Sequence, residues 1–147
     1  ILNEMLTATY NSAFIDYNTP TIISLGSKIS RKYAMKTGSS GTDCYMIGYN
    51  PDILMLVWNG YDDNRQMNPV DGNISKNIWV NTVEEYLKDK EARWYDVPEN
   101  VVGVPLDAIT GNQAVNDKKM YVYYYVKGSE YVNSEMEYEG NKENITE

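Results

Sequence analysis

YAMKTGSSGTDCYMIGYNPDILMLVWNGYDDN, residues 33–64, sets the fold class. Its central run, Ile53 to Trp58, is apolar without interruption, too short for an ordinary helix and bounded by turn residues, so it reads as a buried strand. Asn50-Pro51-Asp52 before it is a tight-turn signal, and Asp43 to Tyr49 before that forms a second strand. Tyr33 to Thr37 gives a third, separated from the second by Gly38, Ser39, Ser40, Gly41 and Thr42. Three consecutive antiparallel strands follow from these spacings. The strand at 53–59 is expected to be central and covered on both faces, because it is apolar on both. The strand carrying Lys36, Thr37 and Gly38 bears charge and hydroxyls, so it is expected at a sheet edge facing a cleft.

Outward from this core, Ile1, Leu2, Met5, Leu6 and Thr9 recur at helical spacing and predict an amphipathic helix over residues 1 to about 12, packed on the sheet. Residues 13–32 read as an extended connection or ragged strand pair. Lys28, Arg31, Lys32 and Lys36 make this region the strongest local positive potential. Ile78, Trp79, Val83, Tyr86 and Leu87 predict a helix from about Ser75 to Lys90 whose apolar stripe covers the sheet. Tyrosine and valine alternating over 120–126 predict a half-buried strand. The fold class expected is α+β, with antiparallel strands and packing helices.

Composition narrows the function. At 147 residues and 42% apolar content, the chain can bury a core and fits one ordinary domain. A net charge of −8 argues against a nucleic-acid partner, which requires a basic face. No apolar run approaches the roughly 20 residues that cross a bilayer as a helix. The absence of histidine removes Ser-His-Asp and Cys-His triads and His-ligated metal sites. Acyl transfer would then need lysine or a carboxylate as its proton carrier. The single cysteine, Cys44, excludes an internal disulfide and reads as a small core residue. No metal site or cofactor is expected.

Lysine on an exposed strand is ordinarily a solvated edge charge. Asp62-Asp63 caps or solvates a turn. Glu84 and Glu85 lie on a solvated helix face. Ser75-Lys76-Asn77 reads as a helix cap. Residues 129–147 hold six acidic residues and one lysine, which reads as a solvated, mobile end. Asn144-Ile145-Thr146 matches a glycosylation acceptor only in a eukaryotic secretory setting.

The order of landmarks carries a resemblance. Lys36-Thr37-Gly38, then Gly48-Tyr49-Asn50-Pro51, then Trp58-Asn59-Gly60-Tyr61-Asp62-Asp63, a helix with Ile78-Trp79, the stretches at 97–102 and 107–111, and Tyr125 to Glu130 together resemble the end of the transpeptidase domain of bifunctional, class A penicillin-binding proteins. The resemblance spans about residues 1–131. It implies the C-terminal part of a penicillin-binding-protein/serine β-lactamase-like fold over 1–111, an extension with an aromatic strand over 112–131, and an acidic tail over 132–147.

It also implies roles. Lys36 would be the catalytic cation in the cleft, assisting proton shuttling and attracting the substrate's terminal carboxylate. Thr37, Gly38, Ser39 and Ser40 would form the substrate-binding strand. Thr37 would donate to the carboxylate and Gly38 would let the substrate backbone lie close. Ser39, where most of the family has threonine, would present its N–H to an oxyanion. Met35 replaces a small residue that the family has before the lysine. The family's nucleophile stands in Ser-x-x-Lys, and no serine or threonine here has lysine three residues later. The chain also begins Ile-Leu-Asn, without an initiator methionine or leader pattern, and reads as a piece of a longer one.

The resemblance thus implies a fragment of a peptidoglycan D,D-transpeptidase, inactive alone. The partners implied are stem peptides ending in D-Ala-D-Ala, β-lactams, and the N-terminal part of the same protein, which would anchor it at the outer face of a bacterial membrane. The alternative is a non-catalytic cell-wall binding or assembly module of the same fold. Either way, the apolar faces of residues 1–12 and 53–59 are expected to need partners outside this chain.

Overall fold

The computed structural model describes residues 1–112 and 119–130. The residues at 132–147, including Asn144-Ile145-Thr146, lie outside them. Strands β1 (Ala34–Ser39), β2 (Asp43–Asn50) and β3 (Ile53–Gly60) form an antiparallel sheet in that order, and β4 (Val101–Asp107) pairs antiparallel with β5 (Met120–Val126). Helix α2 (Gly72–Leu87) packs across β2 and β3. The N-terminal segment opens with the four-residue helix α1 (Leu2–Met5). The fold is α+β, as the strand spacing requires.

Both turns of the three-stranded sheet are closed by side chains that imitate backbone. Ser40 Oγ accepts from the N–H groups of Thr42 and Asp43, and Asn50 Oδ1 accepts from those of Asp52 and Ile53. These turns fix the register Met35↔Gly48↔Met55 and Thr37↔Met46↔Val57. Cross-strand partners share a face, so these residues line the side under α2. The main core gathers there, with Met35, Met46, Val57, Trp79, Val80, Val83 and Leu87 beside Ile22, Leu25 and Tyr33. Met35, the large residue before the lysine, is buried in this core.

Several expectations are corrected. The amphipathic helix over 1–12 is one turn of α-helix followed by 3₁₀ turns at Leu6–Tyr10 and Ser12–Phe14. Thr7 and Thr9 donate their hydroxyls to the carbonyls of Glu4 and Leu6, a back-bonding that tightens the turn, and Asn11 caps the next one through Ala13 N–H. Leu2 and Met5 are consequently exposed while Thr7 is buried. Residues 13–32 contain no strand and condense into short turns that deliver Ile22 and Leu25 to the core.

Strand β3 is an edge strand among the described residues, not a central one. Its inner side chains meet α2, while Leu54, Leu56 and Trp58 on the outer face are 67%, 54% and 48% exposed. Helix α2 begins earlier than Ser75 because a turn at Pro69–Asp71, with proline at its first position and Asp71 Oδ2 accepting from Asn68 N–H, sets the chain on its helical course. Its buried stripe is Ser75, Trp79, Val80, Val83 and Leu87, whereas Ile78 and Tyr86 are exposed. Ser75 is therefore a buried residue in the first turn rather than a cap.

Each of the basic residues at 28–36 donates to a neighbour, and Lys36 does so to Thr37 O. Lys28 donates to Asn77, Lys32 pairs with Glu4 at 2.8 Å, and Arg31 donates to the carbonyls of Leu87, Lys90 and Glu91, capping the C-terminus of α2. Glu84 is not simply solvated: it accepts from Tyr33 Oη at 2.6 Å and from Ser30 N–H at 3.0 Å. Burial first, and then this bond, raise the Tyr33 phenol far above its ordinary range. Tyr33→Phe is expected to cost about 1–3 kcal/mol in denaturant unfolding, because Glu84 loses its buried donor. A change within 0.3 kcal/mol would place the pair outside the stabilising network.

The second sheet closes against the N-terminal segment. Tyr121 Oη donates to Glu4 O at 2.6 Å, and its ring meets Phe14 edge-on at 4.9 Å. Asp107, at the end of β4, accepts from the N–H groups of Thr110 and Ile109, which hold its carboxyl below the usual range. A depressed folded-state value contributes stability that is present above the unfolded value near 4 and is lost as pH falls through the folded one. Asp107→Asn is expected to flatten that part of the acid side of a melting-temperature profile. An unchanged profile would refute the assignment.

Candidate functional site

Strand β1 lies at the free edge of the three-stranded sheet, and its alternation divides the predicted residues between two faces. Thr37 and Ser39 share the face of Met35, toward α2. Lys36 and Gly38 look to the opposite face, where Tyr45 and Ile47 stand across from them in register. A Cβ added at Gly38 would meet Tyr45 at 3.7 Å, an ordinary contact, so glycine there keeps the strand low without being sterically compelled. Lys36 is exposed, and its Nζ donates to Thr37 O at 3.1 Å.

Ser40 is placed differently. Besides accepting the two turn N–H groups, its hydroxyl donates to Asp43 Oδ2 at 3.0 Å. Asp43 is further held by the hydroxyl of Thr42 and the indole N–H of Trp58, and these bonds, Thr42's first, lower its pKa. The Ser40 side chain is thus committed to the β1–β2 turn. Ser39, by contrast, has an exposed hydroxyl with no hydrogen-bond partner among the described residues.

On the α2 side, Thr37 and Ser39 border a groove of about 660 Å³. Its other wall comes from residues that the sequence did not single out as a site: Thr21, the segment Gln66-Met67-Asn68, and Lys76. The loop after β3 is brought there by Met67 N–H, which donates to Gly41 O at 3.0 Å. Thr37 Oγ1 donates to Thr21 Oγ1 at 3.1 Å, and Lys76 Nζ donates to Thr21 O at 2.8 Å. The only signal for Lys76 was its place beside Ser75, where a capping motif explained it equally well. Cys44, expected in the core, is half-buried and forms part of this wall, because its cross-strand partners Ser39 and Asn59 lie at the open end of the sheet.

The site therefore offers an exposed ammonium, a strand edge, hydroxyls at Thr37 and Ser39, and a second ammonium across the groove. Such a set is donor chemistry of the kind that suits an anionic peptide end, and it includes no activated nucleophile among the described residues.

The chain is 31% identical over 132 residues to penicillin-binding protein 2D of Bacillus subtilis, covering 88% of this chain and 19% of that protein. It is 34% identical over 73 residues to penicillin-binding protein 1A of Neisseria meningitidis, covering 47% of this chain and 9% of the relative. No family model matches. The crystal structure of penicillin-binding protein 1A from Haemophilus influenzae shares the fold, with a TM-score of 0.67 at 20% identity over 90% of this chain and 21% of that one. The chain thus spans about one-fifth of the length of penicillin-binding protein 2D. Similarity over most of the chain, joined to a common fold, makes it a homologue of penicillin-binding proteins 1A and 2D.

Proposed function

We propose that the chain is the C-terminal portion of the transpeptidase domain of a class A penicillin-binding protein and contributes one wall of a D,D-transpeptidase site. The observation that carries this reading is the Lys36-Thr37-Gly38 strand at a free sheet edge within a chain homologous to penicillin-binding proteins. In this reading residues 1–111 belong to the transpeptidase domain and 112–131 to an extension. The β4–β5 ribbon ties the two together.

The acyl donor is a stem peptide ending in D-Ala-D-Ala, and β-lactams occupy the same wall. A serine elsewhere in the protein attacks the penultimate D-alanyl carbonyl. The terminal D-alanine leaves with a proton, and a neighbouring amine then takes the acyl group. Lys36 assists the proton transfers as a fixed cation beside that serine. Thr37 and Ser39 hold the donor's carboxylate, and the Ser39 N–H faces the oxyanion. Ser40 contributes by shaping the turn that ends the strand. The reaction takes place at the outer face of the bacterial membrane, on the cell wall.

A second reading is a cell-wall binding or assembly module of the same fold that retains the strand as scaffold. The coding sequence upstream of Ile1 separates the two. A Ser-x-x-Lys followed by a Ser-x-Asn supports the enzyme, and their absence there leaves only the module.

A further inference from the structure

We infer that Lys76, carried on α2, is a second cation of the substrate groove and sets its preference for a ligand bearing a carboxylate. The inference rests on the transpeptidase reading and adds to it a residue from outside the Lys36 strand.

Three observations carry it. The first is placement: Lys76 stands one helical turn beyond Gly72 and lines, from α2, the same groove as Thr37 and Ser39. The second is how it is held. Its Nζ donates to Thr21 O at 2.8 Å, and the Thr21 hydroxyl accepts from Thr37 Oγ1 at 3.1 Å. Lys76, Thr21 and Thr37 thus form a connected chain across the groove, which keeps the ammonium beside the hydroxyl that faces the ligand. The ammonium has further donors to offer after its bond to Thr21.

The third observation is electrostatic. In a chain with 21 acidic residues and a net charge of −8, no lining residue of this groove is acidic. Asp43 and Asp71, which adjoin the lining residues Cys44 and Gly72 in the chain, are turned to other partners: Asp43 to Ser40, Thr42 and Trp58, and Asp71 to Asn68 N–H and the Tyr61 hydroxyl. The donors among its lining side chains are one ammonium, the hydroxyls of Thr21, Ser39 and Tyr45, the Cys44 thiol, and the amides of Gln66 and Asn68, while the Thr37 hydroxyl donates to Thr21. That is donor chemistry for an anion, and a planar carboxylate uses hydroxyl and ammonium donors together. Lys36, on the opposite face of β1, remains available for proton transfer while Lys76 supplies binding charge.

The test uses the full-length protein containing this chain. Its rates of acylation by benzylpenicillin, which carries a carboxylate, and by the neutral methyl ester are measured by intact-mass spectrometry. Lys76→Met is expected to slow the carboxylate ligand about tenfold, as a charge lost from a partly solvated site would, and to leave the ester's rate unchanged. Lys76→Arg is expected to restore most of the difference, and the unchanged ester rate shows that the variant folds. An equal loss on both ligands would mean a structural role and overturn the inference, as would no loss on either. If the wild-type protein is acylated by neither, the transpeptidase reading itself fails and the inference falls with it.

Discussion

Trp79→Ala is expected to lower the unfolding free energy by about 3–5 kcal/mol, a large part of what a domain of this size holds. The indole is fully buried, meets Tyr33 edge-on at 5.1 Å, and donates its N–H to Met55 O at 3.1 Å. Removal therefore forfeits apolar burial, leaves a cavity between α2 and β2, and strands a carbonyl. The cavity is shaped by Gly48: a Cβ there would approach Trp79 Cζ2 to 2.3 Å, so β2 admits the indole because it has no side chain at that position. Gly48→Ala is accordingly expected to destabilise by about 1–3 kcal/mol in the parent chain and by much less beside Trp79→Ala. Urea titrations of the two single variants and the double variant measure that coupling. Additive losses would mean that the contact does not govern the packing. Trp58→Ala, by contrast, removes a half-exposed indole whose N–H holds Asp43, and its effect is expected to be smaller.

Lys36→Ala is expected to leave stability nearly unchanged and to slow penicillin acylation of the full-length protein at least a hundredfold, the usual worth of a positioned proton carrier. Among the described residues its Nζ hydrogen-bonds only to the carbonyl of the next residue in its own strand, so the fold loses little when the side chain goes. A hundredfold loss with an unchanged melting temperature assigns Lys36 to the chemistry. A loss below threefold would make it the solvated edge charge that an exposed strand lysine ordinarily is.

What the sequence made legible follows from local physics. The uninterrupted apolar run at 53–58, the Asn50 turn and the turn residues at 38–42 placed β1, β2 and β3 to within two residues, because turns are set by neighbours in the chain. The edge position of β1 was equally legible from its charge and hydroxyls. The apolar outer face of β3 misled for a physical reason. Leu54, Leu56 and Trp58 carry the pattern of a covered strand, and the described residues place nothing over them. The N-terminal helix failed because apolar spacing says nothing about threonine hydroxyls competing for backbone carbonyls.

The site divided in the same way. Lys36 to Ser39 could be found because they are contiguous and ordered among landmarks. Thr21 and Lys76 stand 16 and 39 positions from Thr37 in the chain, and only tertiary folding brings them together. Glu84 likewise read as surface until Tyr33 was seen to reach it.

The central claim is that these residues form one wall of a transpeptidase site whose nucleophile lies elsewhere in the same protein. Labelling the full-length protein with a fluorescent penicillin, followed by peptide mapping of the adduct, tests it most directly. The account predicts one covalent adduct per molecule, on a serine outside residues 1–147. No adduct, or an adduct on a residue within 1–147, would contradict it.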